Sequence, residues 1–124
     1  MLFIDIDHYI DDNSIFLTDT NTVKQIASSI LEDNKSSINS NEPIKFKTSK
    51  LFHISSTFFE LILRDRILYS MDLDTVRDDI SIDTSRSVIK KNMTHAVNKL
   101  YKKARQIEKS CIRVSGGDND GKTR

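Results

Sequence analysis

Apolar residues recur at helical spacing through the last third of the chain, from Thr84 to Ser110. Steps of three and four residues separate the members of this stripe, which are Ile89, Met93, Ala96, Leu100, Ala104, Ile107 and Cys111. Such steps keep one face of an α-helix apolar, because the helix repeats every ~3.6 residues. The two consecutive steps of four at Leu100 break a strict heptad, so the pattern predicts a helix packed on its own domain and not a two-stranded coiled coil.

Two earlier segments carry the same periodicity, Thr22–Asp33 and Thr57–Met71. Each begins with a capping box, in which a Thr and a Glu or Gln three residues later satisfy free backbone N–H groups. The pairs are Thr22 with Gln25 and Thr57 with Glu60. The second segment is apolar almost all the way round, which is typical of a helix buried in the core. We therefore expect it to be the main stabilising element.

Alternation with a period of two predicts the strands. It is present in Leu2–Asp7 and again in Ile44–Thr48. An Asp-rich turn signal precedes Ile15–Thr18, so this segment is predicted to return beside the first strand and close a hairpin. The polar Asn34–Pro43 and the acidic Asp72–Asp83 are predicted to be loops, the second with a single helical turn.

These elements predict an α+β fold in which helix dominates. A small N-terminal β-hairpin and a short third strand are packed by three helices, of which the last is long and basic. The predicted boundaries are one compact domain over residues 1–114, a final helix over about 84–110, and a disordered polar tail over 115–124. The N-terminal apolar run lacks the basic lead of a signal peptide, and no stretch approaches the roughly 20 apolar residues that span a bilayer.

Charge divides the chain in two. Residues 1–83 carry 8 basic and 15 acidic side chains, a net charge of −7, whereas residues 84–124 carry 11 basic and 3 acidic side chains, a net charge of +8. The formal sum of +1 conceals this division. Such halves favour either self-complementary packing in a homo-oligomer or a basic arm that meets an anionic partner.

The basic helix is the first candidate for function. Away from its apolar stripe it carries side chains that can neutralise an anionic partner, namely Lys91, His95, Lys99, Lys102, Arg105 and Lys109. Only Glu108 is available within the helix to pair with them, whereas ordinary solvated faces mix both signs. Tyr101 is the sole aromatic residue of the helix, which argues against stacking on single-stranded bases and for contact with a nucleic-acid backbone. An acidic protein surface, including that of a neighbouring subunit, is the alternative partner.

The second candidate is the end of the first strand, which contains Asp5 and Asp7. A strand ending in Asp-x-Asp places two carboxylates on one face, about 7 Å apart, where they can hold Mg²⁺ for phosphoryl transfer. The run LFIDIDH resembles the first motif of haloacid-dehalogenase-type phosphatases, a strand ending in D-x-D-G-T, with His8 and Tyr9 in place of the Gly and Thr. The resemblance implies a metal-dependent phosphoryl-transfer enzyme. Its later motif residues would be Thr48 or Ser49, Lys50, and Asp78 with Asp79.

Other chemistry has little support in the sequence. The three histidines are far apart and fit no zinc pattern, and all 3 Gly lie beyond Val114, so the body has no Gly-rich phosphate loop. The single Cys111 excludes an internal disulfide and is typical of a reducing, cytoplasmic environment. We therefore predict a non-enzymatic binding or assembly module without metal, cofactor or membrane contact. A structural subunit of a larger intracellular or viral assembly is the alternative.

Overall fold

The computed structural model describes residues 1–40, 42–70 and 72–115, with side chains as far as Glu108. Its strands are β1 (Leu2–Asp5), β2 (Phe16–Leu17), β3 (Ile44–Lys47), β4 (His53–Ile54) and β5 (Ile80–Asp83). Its helices are α1 (Thr20–Ile38), α2 (Ser56–Leu68), α3 (Leu73–Asp78) and α4 (Ser87–Ser115). The α+β, helix-dominant prediction is confirmed, as is the long last helix. Predictions for Met71, for the tail after Ser115 and for the side chains of Lys109 and Cys111 fall outside the described residues.

The strands are parallel, and the predicted hairpin is wrong. The strands β1, β3 and β5 form one sheet in that order, and β2 pairs with β4 in a separate pair. A 3-10 turn (Ile6–Tyr9) follows β1 and takes the chain out of the sheet, and Asp5 stabilises this turn by accepting the N–H of Asp7 at 3.2 Å. Because β2 then joins β4, it has no antiparallel partner among the described strands.

The strand β5 corrects a second prediction, since Asp72–Asp83 was expected to be loop. Its Ile80 is buried and its Ile82 half-buried, while Ser81 and Asp83 are exposed. Two inward-facing apolar residues are enough to complete the sheet beside β3. The single helical turn predicted in the same stretch is present as α3.

The sheet has one apolar face, which carries the buried residues Ile4, Ile44, Phe46 and Ile80. The helices α1, α2 and α4 pack side by side with α2 in the middle, and their buried residues join the same hydrophobic core. The opposite face of the sheet is polar and mostly exposed, and Phe3 is the one large apolar side chain that its three described strands place there. The core therefore lies between the sheet and the helical layer.

The helix α2 is the buried core element that its sequence predicts. Its buried residues are Phe58, Phe59, Ile62, Leu63, Arg66 and Ile67. Leu61, in contrast, is half-buried. The N-cap is Ser55, whose side chain accepts the N–H of Thr57 at 3.2 Å, so the predicted capping box at Thr57 begins two residues too late.

Arg66 is a buried cation, only 4% exposed, within this apolar helix. Its Nη1 donates to the carbonyl oxygens of Ile38 and Ser40, both at 2.9 Å. These carbonyls belong to the end of α1 and would otherwise lack a helical partner. Burial lowers the pKa of Arg66, and the charges of Asp79 and Glu42 oppose that change. Arg66 therefore fastens the end of α1 to α2.

The helix α1 is longer than the predicted Thr22–Asp33. It begins after Asp19, whose carboxylate accepts the N–H of Thr22 at 3.1 Å, and it continues to Ile38. The backbone bends at Asn34 (φ −130°, ψ 15°), whose side chain donates to the carbonyl of Ile30 at 3.0 Å. The fully buried Ile38 packs the last turn of α1 into the core. The Ser and Asn residues around Ile38 are typical of a loop, so the sequence did not predict this turn.

The helix α4 begins at Ser87, three residues after the predicted start at Thr84. Its buried stripe runs from Ile89 to Ala104. Ile107, which was predicted on the same stripe, is 42% exposed because α4 continues past the helices it packs against. Among the described helices, none combines the length and the apolar character needed to cross a membrane.

Candidate anion-binding surface on α4

The orientation of α4 about its own axis is fixed by what it buries. Its apolar stripe packs against α2, and Asn92 donates a hydrogen bond from Nδ2 to the carbonyl of Ile54 in β4 at 2.8 Å. Ile89 and Ala96 are fully buried on this side. The opposite side of the helix must therefore face solvent.

Three residues on the solvent side form what we call the basic stripe: Lys91, His95 and Lys102. None of them is buried, and none makes an ion pair or side-chain hydrogen bond within the described part of the chain. Spacings of four and seven residues keep them on one side of the helix, with Lys91 and Lys102 separated by about 16 Å along its axis. Helical spacing extends the same row to Lys109, whose side chain is not among those described.

Two other predicted members of the surface are engaged in ion pairs. Lys99 pairs with Glu60 of α2 at 3.2 Å. Arg105 pairs with Asp74 of α3 at 2.9 Å and with Glu108 at 3.2 Å. These ion pairs connect α4 to α2 and α3. Among the described side chains, Lys99 and Arg105 are therefore paired, whereas the three residues of the basic stripe are not.

A tyrosine completes the Arg105 cluster. Nη2 of Arg105 donates to the hydroxyl of Tyr101 at 2.9 Å, and that hydroxyl donates to Asp74 at 2.9 Å. The hydrogen bond with Tyr101 raises the pKa of Arg105 above its usual value. Arg77 lies over the ring of Tyr101, with its guanidinium carbon 4.7 Å from the ring centre. This side of α4 is therefore a structural contact with α3.

Two further cations, Arg64 and Lys103, were not among the predicted site residues. Both are exposed, and with Lys99 they line a groove of about 230 Å³ between α2 and α4. Leu61 and Leu100 contribute apolar surface to the same groove. Arg64 interrupts the apolar pattern of α2, and this interruption is the only signal in the sequence that it faces outward.

Two exposed aromatic side chains, Phe16 and Phe52, were not among the predicted site residues, and Phe52 together with Arg86 forms what we call the aromatic patch. Phe16 is 58% exposed and Phe52 is 46% exposed. The guanidinium carbon of Arg86, just before α4, lies 3.8 Å from the centre of the Phe52 ring. Phe52 and Arg86 are distant in sequence, and the hydrogen bond from Asn92 to Ile54 holds the segment of Phe52 near the start of α4.

Asp7 forms a structural contact at the carboxyl end of the sheet. Its carboxylate accepts the hydroxyl of Thr48 at 2.6 Å and the backbone N–H groups of Ser49 and Lys50 at 2.8 and 3.3 Å. Burial raises the pKa of Asp7, but these hydrogen bonds and the nearby charge of Lys50 outweigh it and leave the pKa below its usual value. The contact fixes the loop after β3 to the turn after β1.

The structure brings only part of the phosphatase-like set together. Thr48, Ser49 and Lys50 lie beside Asp7, as the resemblance implies. Asp78 and Asp79 instead precede β5, which places them at the opposite end of a parallel sheet. Within the described residues, no group of three or more His, Cys, Asp and Glu side chains is arranged to hold a metal ion.

The comparisons with known proteins found no relative of this chain. No family model matches it, and neither a curated protein nor a solved structure gives a match. A conclusion about function must therefore come from the chain's own side chains.

Proposed function

We propose that the protein is a non-enzymatic binding module that holds the backbone of a nucleic acid on the basic stripe of α4. The observation that carries the proposal is the absence of acidic partners for Lys91, His95 and Lys102 within the described residues. The single cysteine is the basis for proposing a reducing, cytoplasmic location for this module.

The type of cation favours backbone contact. Lysine carries a compact, strongly hydrated charge on a flexible stem, and it lacks the rigid fork with which arginine contacts base edges. Phosphates neutralised by lysine release their counterions, so binding should be insensitive to sequence and sensitive to salt. The stripe offers two lysines and a histidine over about 16 Å, so a single copy should bind weakly.

The test replaces the two lysines of the stripe and keeps the total charge matched in a control. The test variant is Lys91→Gln/Lys102→Gln, and the control is Lys24→Gln/Lys35→Gln, which removes two exposed lysines from α1. Affinity for a labelled duplex oligonucleotide is measured by fluorescence anisotropy over a series of salt concentrations. In the test variant, we expect the slope of log K against log salt to fall by about 0.9 for each phosphate that is no longer neutralised. The control should keep the wild-type slope.

Equal losses of affinity in the test and control variants would mean that net charge, and not the stripe, attracts the nucleic acid. Unchanged binding in both variants would remove the stripe from the proposal altogether.

An acidic protein surface is the second candidate, and the groove between α2 and α4 favours it. Arg64 and Lys103 lie at that groove beside Leu61 and Leu100, a combination suited to an acidic segment with an apolar anchor. A neighbouring subunit could provide such a segment, as in the structural-subunit alternative. Size-exclusion chromatography with light scattering at low and high salt tests this directly, because self-association through charge should disappear at high salt.

Phosphoryl transfer by Asp5 and Asp7 is the remaining alternative. The geometry disfavours it, because the hydrogen bonds from Thr48, Ser49 and Lys50 already occupy the carboxylate of Asp7. Phosphatase and nuclease assays with Mg²⁺ and Mn²⁺ should show no activity that the Asp5→Asn variant removes. Activity that disappears in that variant would overturn the binding-module proposal.

A further inference from the structure

We infer that the nucleic acid is single-stranded, with bases stacking on the aromatic patch and phosphates following the basic stripe. The inference rests on the proposed function and specifies the form of nucleic acid that the surface takes. The sequence argued against base stacking because Tyr101 is the sole aromatic residue of the basic helix, but the fold places Phe52 beside the start of that helix.

The patch has the chemistry of a stacking platform. Phe52 is 46% exposed, although burial of a Phe side chain is ordinarily favourable. Arg86 lies over Phe52 closely enough to bring its guanidinium carbon within 3.8 Å of the ring centre. Planar guanidinium groups and aromatic rings are the two protein groups on which unpaired bases stack.

The platform and the stripe belong to one surface. Arg86 immediately precedes α4, and Lys91 lies five residues further on, a rise of about 7 Å. The hydrogen bond from Asn92 to Ile54 holds β4, and with it Phe52, beside this first part of the helix. A strand whose base rests on the platform therefore has its phosphates near Lys91.

The rings of Phe16 and Phe52 do not lie on the same surface. Phe16 is opposite His53 in the β2–β4 register, whereas the N–H of Phe52 donates to the carbonyl of Ile15 at 2.7 Å. Side chains of successive strand residues point to opposite faces, so Phe16 and Phe52 face different sides of the strand pair. Phe52 with Arg86 is therefore the stacking platform, and Phe16 lies outside it.

Acidic residues set the direction of the strand. Asp5 and Asp83 are exposed at the carboxyl end of the three-stranded sheet on either side of Lys47, so the cation there is flanked by acids that oppose phosphate binding. The basic stripe carries no such acids among its own residues, so we expect the phosphates to continue from the platform along α4, past His95 and Lys102. The bases of a duplex are stacked on one another and unavailable to the platform, so a duplex would engage only the stripe.

The test compares a labelled oligothymidylate with a duplex of equal length. Phe52→Leu keeps apolar bulk and removes the aromatic face, and Phe3→Leu is the matched control, since Phe3 is 68% exposed on the polar face of the sheet. We expect Phe52→Leu to weaken oligothymidylate binding by about fivefold or more, the range given by removal of one base stack. The duplex affinity of Phe52→Leu and both affinities of Phe3→Leu should stay at the wild-type values.

A tryptophan provides a direct signal of stacking. The chain contains no Trp, so Phe52→Trp introduces a single fluorophore at the platform. This variant should retain oligothymidylate binding, and the bound strand should quench its fluorescence, whereas a duplex should not. The control variant Phe3→Trp should show no quenching with either ligand.

The outcomes separate this inference from the proposed function. If Lys91→Gln/Lys102→Gln loses both ligands while Phe52→Leu loses neither, the stripe is the binding surface and the stacking inference is overturned. If wild type binds the duplex as tightly as the single strand and Phe52→Trp is not quenched, the inference also fails. If wild type binds neither ligand but binds polyglutamate, both proposals fail and the partner is an acidic protein.

Discussion

The acidic and the basic parts of the chain use their charges differently. In the acidic part, carboxylates hold backbone and hydroxyl groups: Asp7 fixes a loop, Asp19 caps α1 and Asp72 caps α3. In α4, by contrast, only Lys99 and Arg105 have carboxylate partners among the described side chains. The sequence shows two opposite charges of similar size, but the structure shows that mainly the negative one is used inside the fold.

The chemistry of the two charge types explains this difference. A carboxylate is short and accepts hydrogen bonds, so it can satisfy the free N–H groups at the start of a helix. An ammonium group is carried on a long flexible stem and can only donate, so it contributes to the fold chiefly by pairing with an acid. The acids of this chain are largely committed to local contacts, which leaves the lysines of the basic stripe for another molecule.

The largest effect on stability should come from the core beneath both sets of charges. Ile62 is only 1% exposed, so Ile62→Ala should lower the free energy of unfolding by about 2–5 kcal/mol, as buried large-to-small changes do. The half-buried Leu61 provides the control, and Leu61→Ala should cost clearly less. Urea denaturation measures both. Equal losses would mean that α2 is not oriented as described.

Asp7→Asn should have the next largest effect and tests the structural use of acids. An amide in place of the carboxylate cannot accept hydrogen bonds from Thr48, Ser49 and Lys50 in the same way. We expect the free energy of unfolding to fall by about 1–3 kcal/mol at neutral pH, the range for hydrogen bonds to a charged group. Asp12→Asn is the control, because the Asp12 side chain is fully exposed and pairs only with Lys50 among the described residues.

The same variant should alter the pH dependence of stability. The pKa of Asp7 is lower in the folded protein than its usual value, so its stabilisation is fully present above about pH 4, the unfolded pKa of Asp. That stabilisation is lost as the pH falls through the lower, folded pKa. The gap between wild type and Asp7→Asn should therefore narrow in acid. A gap that is constant with pH would show that the Asp7 charge contributes nothing.

A smaller effect is expected where the two charge types meet, at Arg105 and Asp74. A double-mutant cycle with Arg105→Gln and Asp74→Asn should give a small favourable coupling energy, as exposed ion pairs do. The coupling should shrink at high salt. Lys103→Gln combined with Asp74→Asn is the control and should show no coupling. Coupling in the control would indicate a general charge effect instead of a pair.

Much of the fold follows from local patterns in the sequence. The apolar spacing of α2 and α4 and the alternation in β1 and β3 each identify an element from its own residues. The strand pairings that the sequence did not predict depend on residues that are far apart in the chain. The strand β2 was predicted within Ile15–Thr18, but its partner β4 is only two residues long, too short for any periodicity, and β5 shows only two apolar residues in an acidic stretch.

The candidate surface was likewise predictable only where it depends on the spacing of residues within one helix. A rotation of about 100° per residue is enough to place Lys91, His95 and Lys102 on one side of α4. That Lys99 is paired depends on Glu60 of another helix, and no local pattern reports that contact. The aromatic patch depends on the long-range contact of Phe52 with Arg86 and was therefore beyond reach of the sequence.

The smallest effect should come from the stripe itself, and it decides whether the comparison of the two charge types holds. Lys91 and Lys102 have no partner among the described side chains, so Lys91→Gln/Lys102→Gln should change stability by no more than about 0.5 kcal/mol per site. The change should be towards greater stability at low salt, because Lys99 and Arg105 lie three residues before and after Lys102, and like charges at that helical spacing repel. Urea denaturation at low and high salt measures this, with the paired Lys99→Gln as the contrasting variant.

The same measurement assigns any binding defect to its cause. A decrease of more than about 1 kcal/mol in the stripe variant, beyond the usual range of surface substitutions, would mean that the two lysines support the fold. Weaker nucleic-acid binding by that variant would then follow from unfolding. Unchanged stability together with abolished binding would assign the stripe to recognition, because the folded protein would then lack only the charges that meet the phosphates.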